Sequence, residues 1–164
     1  MIPNITPVGI DRQFRIRKLE FTTYEVEYRE IAGQLRIINI PVKIIEQPKS
    51  TLQGSIDEQP NYMIKAQFAM GFTNRGRRGP PSQDPSKGEN VDITNYVVWE
   101  TERAPWNEFI VAGDPAYVLR QRTTLTKLLL IKDKYTQDGD PSINAAIQST
   151  FTVSKLEAQE AGLS

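Results

Sequence analysis

The chain has 164 residues, with 20 basic and 20 acidic side chains, no net charge, no cysteine and no histidine. That length suits one domain with a full core, and the charge balance argues against a dedicated nucleic-acid packaging protein or a polybasic membrane binder, both of which need a sustained positive field. The missing residue types exclude disulfides, thiolate nucleophiles, zinc–thiolate and iron–sulfur sites, and Ser-His-Asp or Cys-His catalysis, so no metal or cofactor is expected and an enzyme is disfavoured.

Residues 1–11 read as an extended arm. Ile2, Ile5, Val8 and Ile10 are interleaved with Pro3, Pro7 and Gly9, and proline blocks both helix and central-strand pairing. Four aliphatic side chains on such an arm need a surface to pack on, either their own domain or a neighbouring subunit. The N-terminus has no basic segment followed by an apolar one, and the longest aliphatic run, Leu128 to Ile131, is far short of a membrane span. The chain is therefore expected to be soluble as made, away from membranes, in the cytoplasm or incorporated in a virion or other particle.

A single β-domain is expected over 12–154. Phe14 and Ile16 alternate with charged residues, then the apolar phase moves to Leu19 and Phe21, the signature of a β-bulge. Tyr24, Val26 and Tyr28 alternate with charges, as on a half-buried strand, and "IAGQ" at 31–34 looks like a turn. Ile38, Ile40, Val42 and Ile44 follow on one face, with Pro41 marking an edge or a bulge. Beyond the polar connection 46–61 comes the clearest strand, with Ile64, Ala66, Phe68, Met70 and Phe72 on one face.

A long mobile loop is expected at 73–90, followed by strand signals at Tyr96 and Val98 and at Phe109 to Val111. "GDP" at 113–115 and again at 139–141 suits a helix start, but Thr150 to Val153 is strand material. This predicts a hairpin over 125–153 with Leu129 and Ile131 inward. Residues 155–164 read as a short helix or a frayed tail. The sum is an all-β fold, an antiparallel β-sandwich or a partly closed β-barrel, with at most short helices.

Few motifs carry chemistry. Asp133, Asp138 and Asp140 beside Gly139 do not match an EF-hand spacing, and Asp-Gly-Asp is more often a turn. Glu100, Glu102 and Glu108 near Trp99 and Trp106 allow a carboxylate pair, although acidic groups on a solvated strand face are ordinary. Trp106, in a loop-like setting, is a candidate contact residue. Arg75, Arg77 and Arg78 form the one dense basic cluster, soon diluted by Asp84, Glu89 and Asp92.

These features favour a non-enzymatic structural subunit of a coat, tail, tube or filament. It would form a homo-oligomer, or join other subunits of an assembly, through its arm and loop, with Ile2, Ile5, Val8, Ile10, Arg75, Arg77, Arg78 and Trp106 as contacts. A nucleic-acid-binding β module using the arginine loop is the alternative, and a carbohydrate-binding β-sandwich using the tryptophans comes third.

Overall fold

The computed structural model describes residues 9–48, 59–99 and 104–156. Ile2, Ile5 and Val8, the carboxylates Glu100 and Glu102, and the tail from Glu157 onward lie outside the described residues, while Ile10 and Asp11 of the expected arm and Lys155 of the expected tail lie in strands. The fold is nearly all β, two antiparallel sheets packed face to face as a sandwich.

The first sheet holds β1 (Ile10–Arg12), β3 (Thr22–Tyr28), β4 (Ile31–Gln47), β5 (Asn61–Asn74) and β7 (Val97–Trp99). The second holds β2 (Phe14–Lys18), β6 (Asn90–Asp92), β8 (Asn107–Val111), β9 (Tyr117–Tyr135) and β10 (Pro141–Lys155). Both sheets share one plan. A long strand, β4 or β9, is paired along one side by a second long strand, β5 or β10. Its other side is shared by two shorter strands, β3 and β1 on β4, β8 and β6 on β9.

Bulges set which residues reach the core. The expected phase shift in β2 is present as a register break against β8 between Ile16 and Lys18, which lets Phe14 and Leu19 pack inward. In β4 the break lies between Pro41 and Lys43. It expels Val42 to solvent and turns Ile44 inward, so the four aliphatics expected on one face do not share it. In β9 an extra residue opposite Ala146 and Ile147 moves the inward phase from Leu119, Gln121 and Thr123 to Leu128 and Leu130. Leu129 is accordingly not the inward residue that unbroken alternation predicts.

Two further expectations change. The turn lies at Arg29 and Glu30, with Tyr28 paired to Ile31 and Arg29 at φ 54°, while Ile31 to Gln34 belong to β4. Gly33 marks a close approach instead. A Cβ there would sit 2.4 Å from the Thr73 carbonyl oxygen and 2.6 Å from the Phe72 ring. Neither "GDP" starts a helix: the first bends the chain between β8 and β9, and the second closes the β9–β10 hairpin, with Pro141 opening β10. Tyr96 lies in a 3₁₀ turn, Thr94–Tyr96, and the strand begins one residue later.

The core has two apolar clusters with a polar layer between them. Tyr24, Val26, Leu35, Ile37, Ile93, Leu128 and Leu130 form the first, and Ile44, Phe109, Val111 and Leu119 form the second. Between them Asn107 accepts from the Glu20 amide (2.7 Å) and donates to Gln121 (3.3 Å). Gln121 donates to Thr123 and to Ser149 (3.3 Å), and Asn39 of the opposite sheet donates to Ser149 (2.8 Å). The Thr22 hydroxyl donates to the Thr123 carbonyl (2.8 Å), and the Leu125 amide donates to the Tyr24 hydroxyl (2.7 Å). Burial raises the Tyr24 phenol pKa above its ordinary value, an effect the Leu125 amide partly offsets.

Replacing Tyr24 with Phe keeps the ring and leaves the buried Leu125 amide without that acceptor. Chemical denaturation should show a loss of about 1–3 kcal/mol. Tyr96→Phe, on a half-exposed ring, should stay within about 0.5 kcal/mol of the parent.

Candidate interaction surface

β5 and β10 are the outer strands on one side of the sandwich, and among the described residues neither pairs on its second edge. The inward face of β5 meets the first cluster through Phe72 and the second through Ile64. β10 does the same, with Ile143, Ala145 and Ile147 at one end and Val153 at the other. The middle of both strands lies over the polar layer, and there the sandwich stays open. Phe68 is 38 % exposed, Met70 37 % and Phe151 43 %, and Ala66 is exposed as well.

The opening forms a groove of about 290 Å³ lined by Asn39, Pro41, Ile64, Ala66, Phe109, Gln121, Ser149 and Phe151. Its floor is amide and hydroxyl, its walls are aliphatic and aromatic, and no lining side chain is charged. Sequence alternation correctly puts Ala66, Phe68 and Met70 on one face with Ile64 and Phe72, but does not show that the middle of that face is open. The available signal was the polar pair Gln121 and Thr123, which continues the inward phase of Leu119 and marks the level at which the sheets are not sealed by apolar contact.

The segment expected at 73–90 begins later, because β5 continues through Asn74. Its backbone is tied to both sheets. The amides of Arg75 and Gly76 donate to the Ala32 carbonyl at 2.8 and 3.0 Å, and that of Arg77 donates to Glu30 (3.3 Å). The Gly79 amide donates to Gly139 (3.0 Å), and Ser82 exchanges hydrogen bonds with the Tyr135 backbone, its amide donating and its hydroxyl accepting. The Ser142 hydroxyl donates to the Pro85 carbonyl (2.8 Å). Glycine permits this fit: a Cβ on Gly79 would fall 2.4 Å from the Tyr135 ring, and one on Gly88 2.9 Å from the Ile131 side chain. The segment thus lies against the buried Ile131 and anchors through backbone groups, which composition does not display.

Its arginines are partly committed. Arg75 pairs with Glu25, and Arg77 with Glu30 at 3.7 Å, whereas Arg78 is exposed and makes no ion pair with a described residue. Arg77 also lines a cleft of about 490 Å³ with Arg29, Lys132 and Lys134, but Glu30, Glu89 and Asp133 line it too. This mixed lining gives no sustained positive surface.

Trp106 is half-buried, with the Arg122 guanidinium 4.1 Å from its ring centroid. That guanidinium is held by the Ala104 carbonyl (3.0 Å) and occupies an aromatic face that a sugar ring would otherwise use. Ile10, the one arm contact within the described residues, sits in β1 and is exposed. The structure does not bring Ile10, the arginines and Trp106 into one site. Among the described residues no three acidic side chains converge as a metal cluster would, which leaves Asp138 and Asp140 as residues of the hairpin turn. Nor is any helix long and apolar enough to cross a membrane.

Glu108 is the most constrained carboxylate described. Arg17 reaches it from β2 with two contacts of 3.3 Å, and Arg120 from β9 at 2.9 Å. Burial pushes its carboxyl up, but hydrogen bonds and charge from Arg17 and Arg120 outweigh this and hold it below the ordinary carboxylate range. Compared with known protein families, curated proteins and solved structures, the chain matches none.

A depressed carboxyl pKa stabilises the fold above the unfolded value, about 4.3 for Glu, and that contribution is lost as pH falls through the lower folded value. Denaturation midpoints should therefore drop below about pH 4, and Glu108→Gln should flatten that part of the profile while lowering stability near pH 7.

Proposed function

We propose that this chain is a non-enzymatic assembly subunit that associates with copies of itself through the open side of its sandwich. The observation that carries the reading is the character of the two outer strands. β5 has 14 residues with Lys65 as its one charged side chain, and β10 has 15 with Lys155 alone, at its tip. Neither strand is interrupted by proline within its length, since Pro141 is the first residue of β10.

Long, regular, uncharged edges are templates for pairing with another chain, and proteins that remain monomeric blunt them with charges, prolines or bulges. The exposed apolar side chains beside these edges have the composition of a contact surface. A nucleic-acid module has less support, because two of its three arginines pair with acidic groups, Glu25 of β3 and Glu30 of the turn that follows it. A carbohydrate site has less again, with a guanidinium over the Trp106 ring.

Sedimentation velocity of the full chain should show multimers whose population grows with protein concentration. Met70→Lys, at an exposed position, should suppress them while costing about 1 kcal/mol or less in stability. A wild-type chain that stays monomeric at all accessible concentrations overturns the reading.

A further inference from the structure

The groove between β5 and β10 leaves open what fills it in an assembly, and three features point to one segment. The first is chemistry. The groove has aliphatic and aromatic walls, an amide-and-hydroxyl floor and no charged lining. Residues 2–10 of this chain, "IPNITPVGI", likewise carry no charged side chain; extended, Ile2, Asn4, Thr6 and Val8 would share one face, offering Ile2 and Val8 to the walls and Asn4 and Thr6 to the floor. The first charge in the sequence is Asp11.

The second is backbone parity. In an extended segment successive residues turn their N–H and C=O groups to opposite sides. Ile2, Asn4, Thr6 and Val8 therefore present a full set of hydrogen-bonding groups to one side. Pro3 and Pro7 fall together on the other side, where their missing N–H groups prevent a further strand from adding. A segment so built can complete one sheet edge and end it.

The third is reach. β1 is fixed to β4 by the Arg12–Glu46 ion pair (3.4 Å) and the Lys43–Asp11 ion pair (3.3 Å), on the side of β4 away from β5. Ile10 pairs with Glu46, so Gly9 lies level with Gln47, whereas the β5 lining residue nearest to it, Ile64, pairs with Ile44. A new strand beside Ile64 is thus about three strand spacings across and about three residues along from Gly9, roughly 17 Å. At about 3.3–3.6 Å per residue the crossing alone takes about five residues, so residues 2–8 of the same chain could not lie along the groove. A second copy has no such restriction.

Resting on the self-association reading above, we propose that residues 2–8 of one copy fill the β5–β10 groove of another as an added edge strand. The contact joins unlike surfaces, head to tail, and repeats as a ring or an open filament according to whether the rotation closes.

Two full-length variants test it, Val8→Asp in the arm and Phe68→Lys at the rim of the groove, with circular dichroism to establish that each is folded. In sedimentation each alone should need about tenfold or more protein to assemble than the wild type. Mixed, one supplies an intact groove and the other an intact arm, so a 1:1 heterodimer should form and grow no further. If either variant assembles like the wild type, or if the mixture gives no heterodimer, the arm–groove contact is overturned and self-association stands. If the wild type itself is monomeric throughout, self-association falls. Should Phe68→Lys not fold, Phe151→Lys on the facing strand replaces it with the same expected outcomes.

Discussion

The hydrogen bond from the Leu125 amide to the Tyr24 hydroxyl sits where β9 changes phase, and much of the sandwich follows from that change. On one edge β9 pairs with β8 up to Gln121 and with β6 from Leu129, and no described strand lies between. The backbone groups that no strand pairs in that gap take side-chain partners instead. Thr22 donates to the Thr123 carbonyl, Tyr24 accepts from the Leu125 amide, and the Thr94 hydroxyl accepts from the Leu128 amide at 3.0 Å. Buried backbone groups must be paired, so the bulge can persist only because the first sheet and the connection to it supply these groups. Without the bulge, unbroken alternation would turn Leu128 and Leu130 outward and leave the first cluster half empty.

The same requirement explains the polar layer. Asn107, Gln121 and Thr123 are each about as buried as the leucines beside them, and each is hydrogen-bonded. A satisfied buried network fixes one alignment of the two sheets, because a shift of one residue would leave several of these groups unpaired. Its cost is apolar contact at that level. Side chains that would have closed the sandwich over Asn39 and Ser149 are absent, and Phe68, Met70 and Phe151 remain at the rim.

The fold class was legible because alternation is strong wherever a strand is regular: Tyr24, Val26 and Tyr28, or Ile147 through Val153. It failed wherever one residue was inserted, since a bulge reverses every later assignment in its strand. Pro41 advertised such a break and Thr126 did not. Gly33 lies in a strand rather than the expected turn for a related reason, and Gly79 and Gly88, in the irregular segment the composition predicts, show the same use of glycine. In sequence a glycine marks a turn or a loop, whereas here each allows a ring, a carbonyl or an aliphatic side chain to come closer than a Cβ permits. The groove was least legible, because it exists only where two strands about 80 residues apart in the chain both run past the ends of the apolar clusters.

That arrangement bears on why the outer strands are so plain. On a strand with one wet edge, an exposed lysine or an inserted proline costs little and prevents misassociation. Two of the short edge strands carry such charges: Arg12 and Asp11 in β1, and Arg15, Arg17 and Lys18 in β2, although β7, Val97–Trp99, carries none. The two longest edges, where protection matters most, carry almost none. Under the proposed arm–groove contact the long edges would be covered in the assembly, and Pro3 and Pro7 would put the missing protection on the arm. A neutral arm pairing on one side alone would then fill a groove lined only by uncharged groups without leaving a new edge free to recruit further chains.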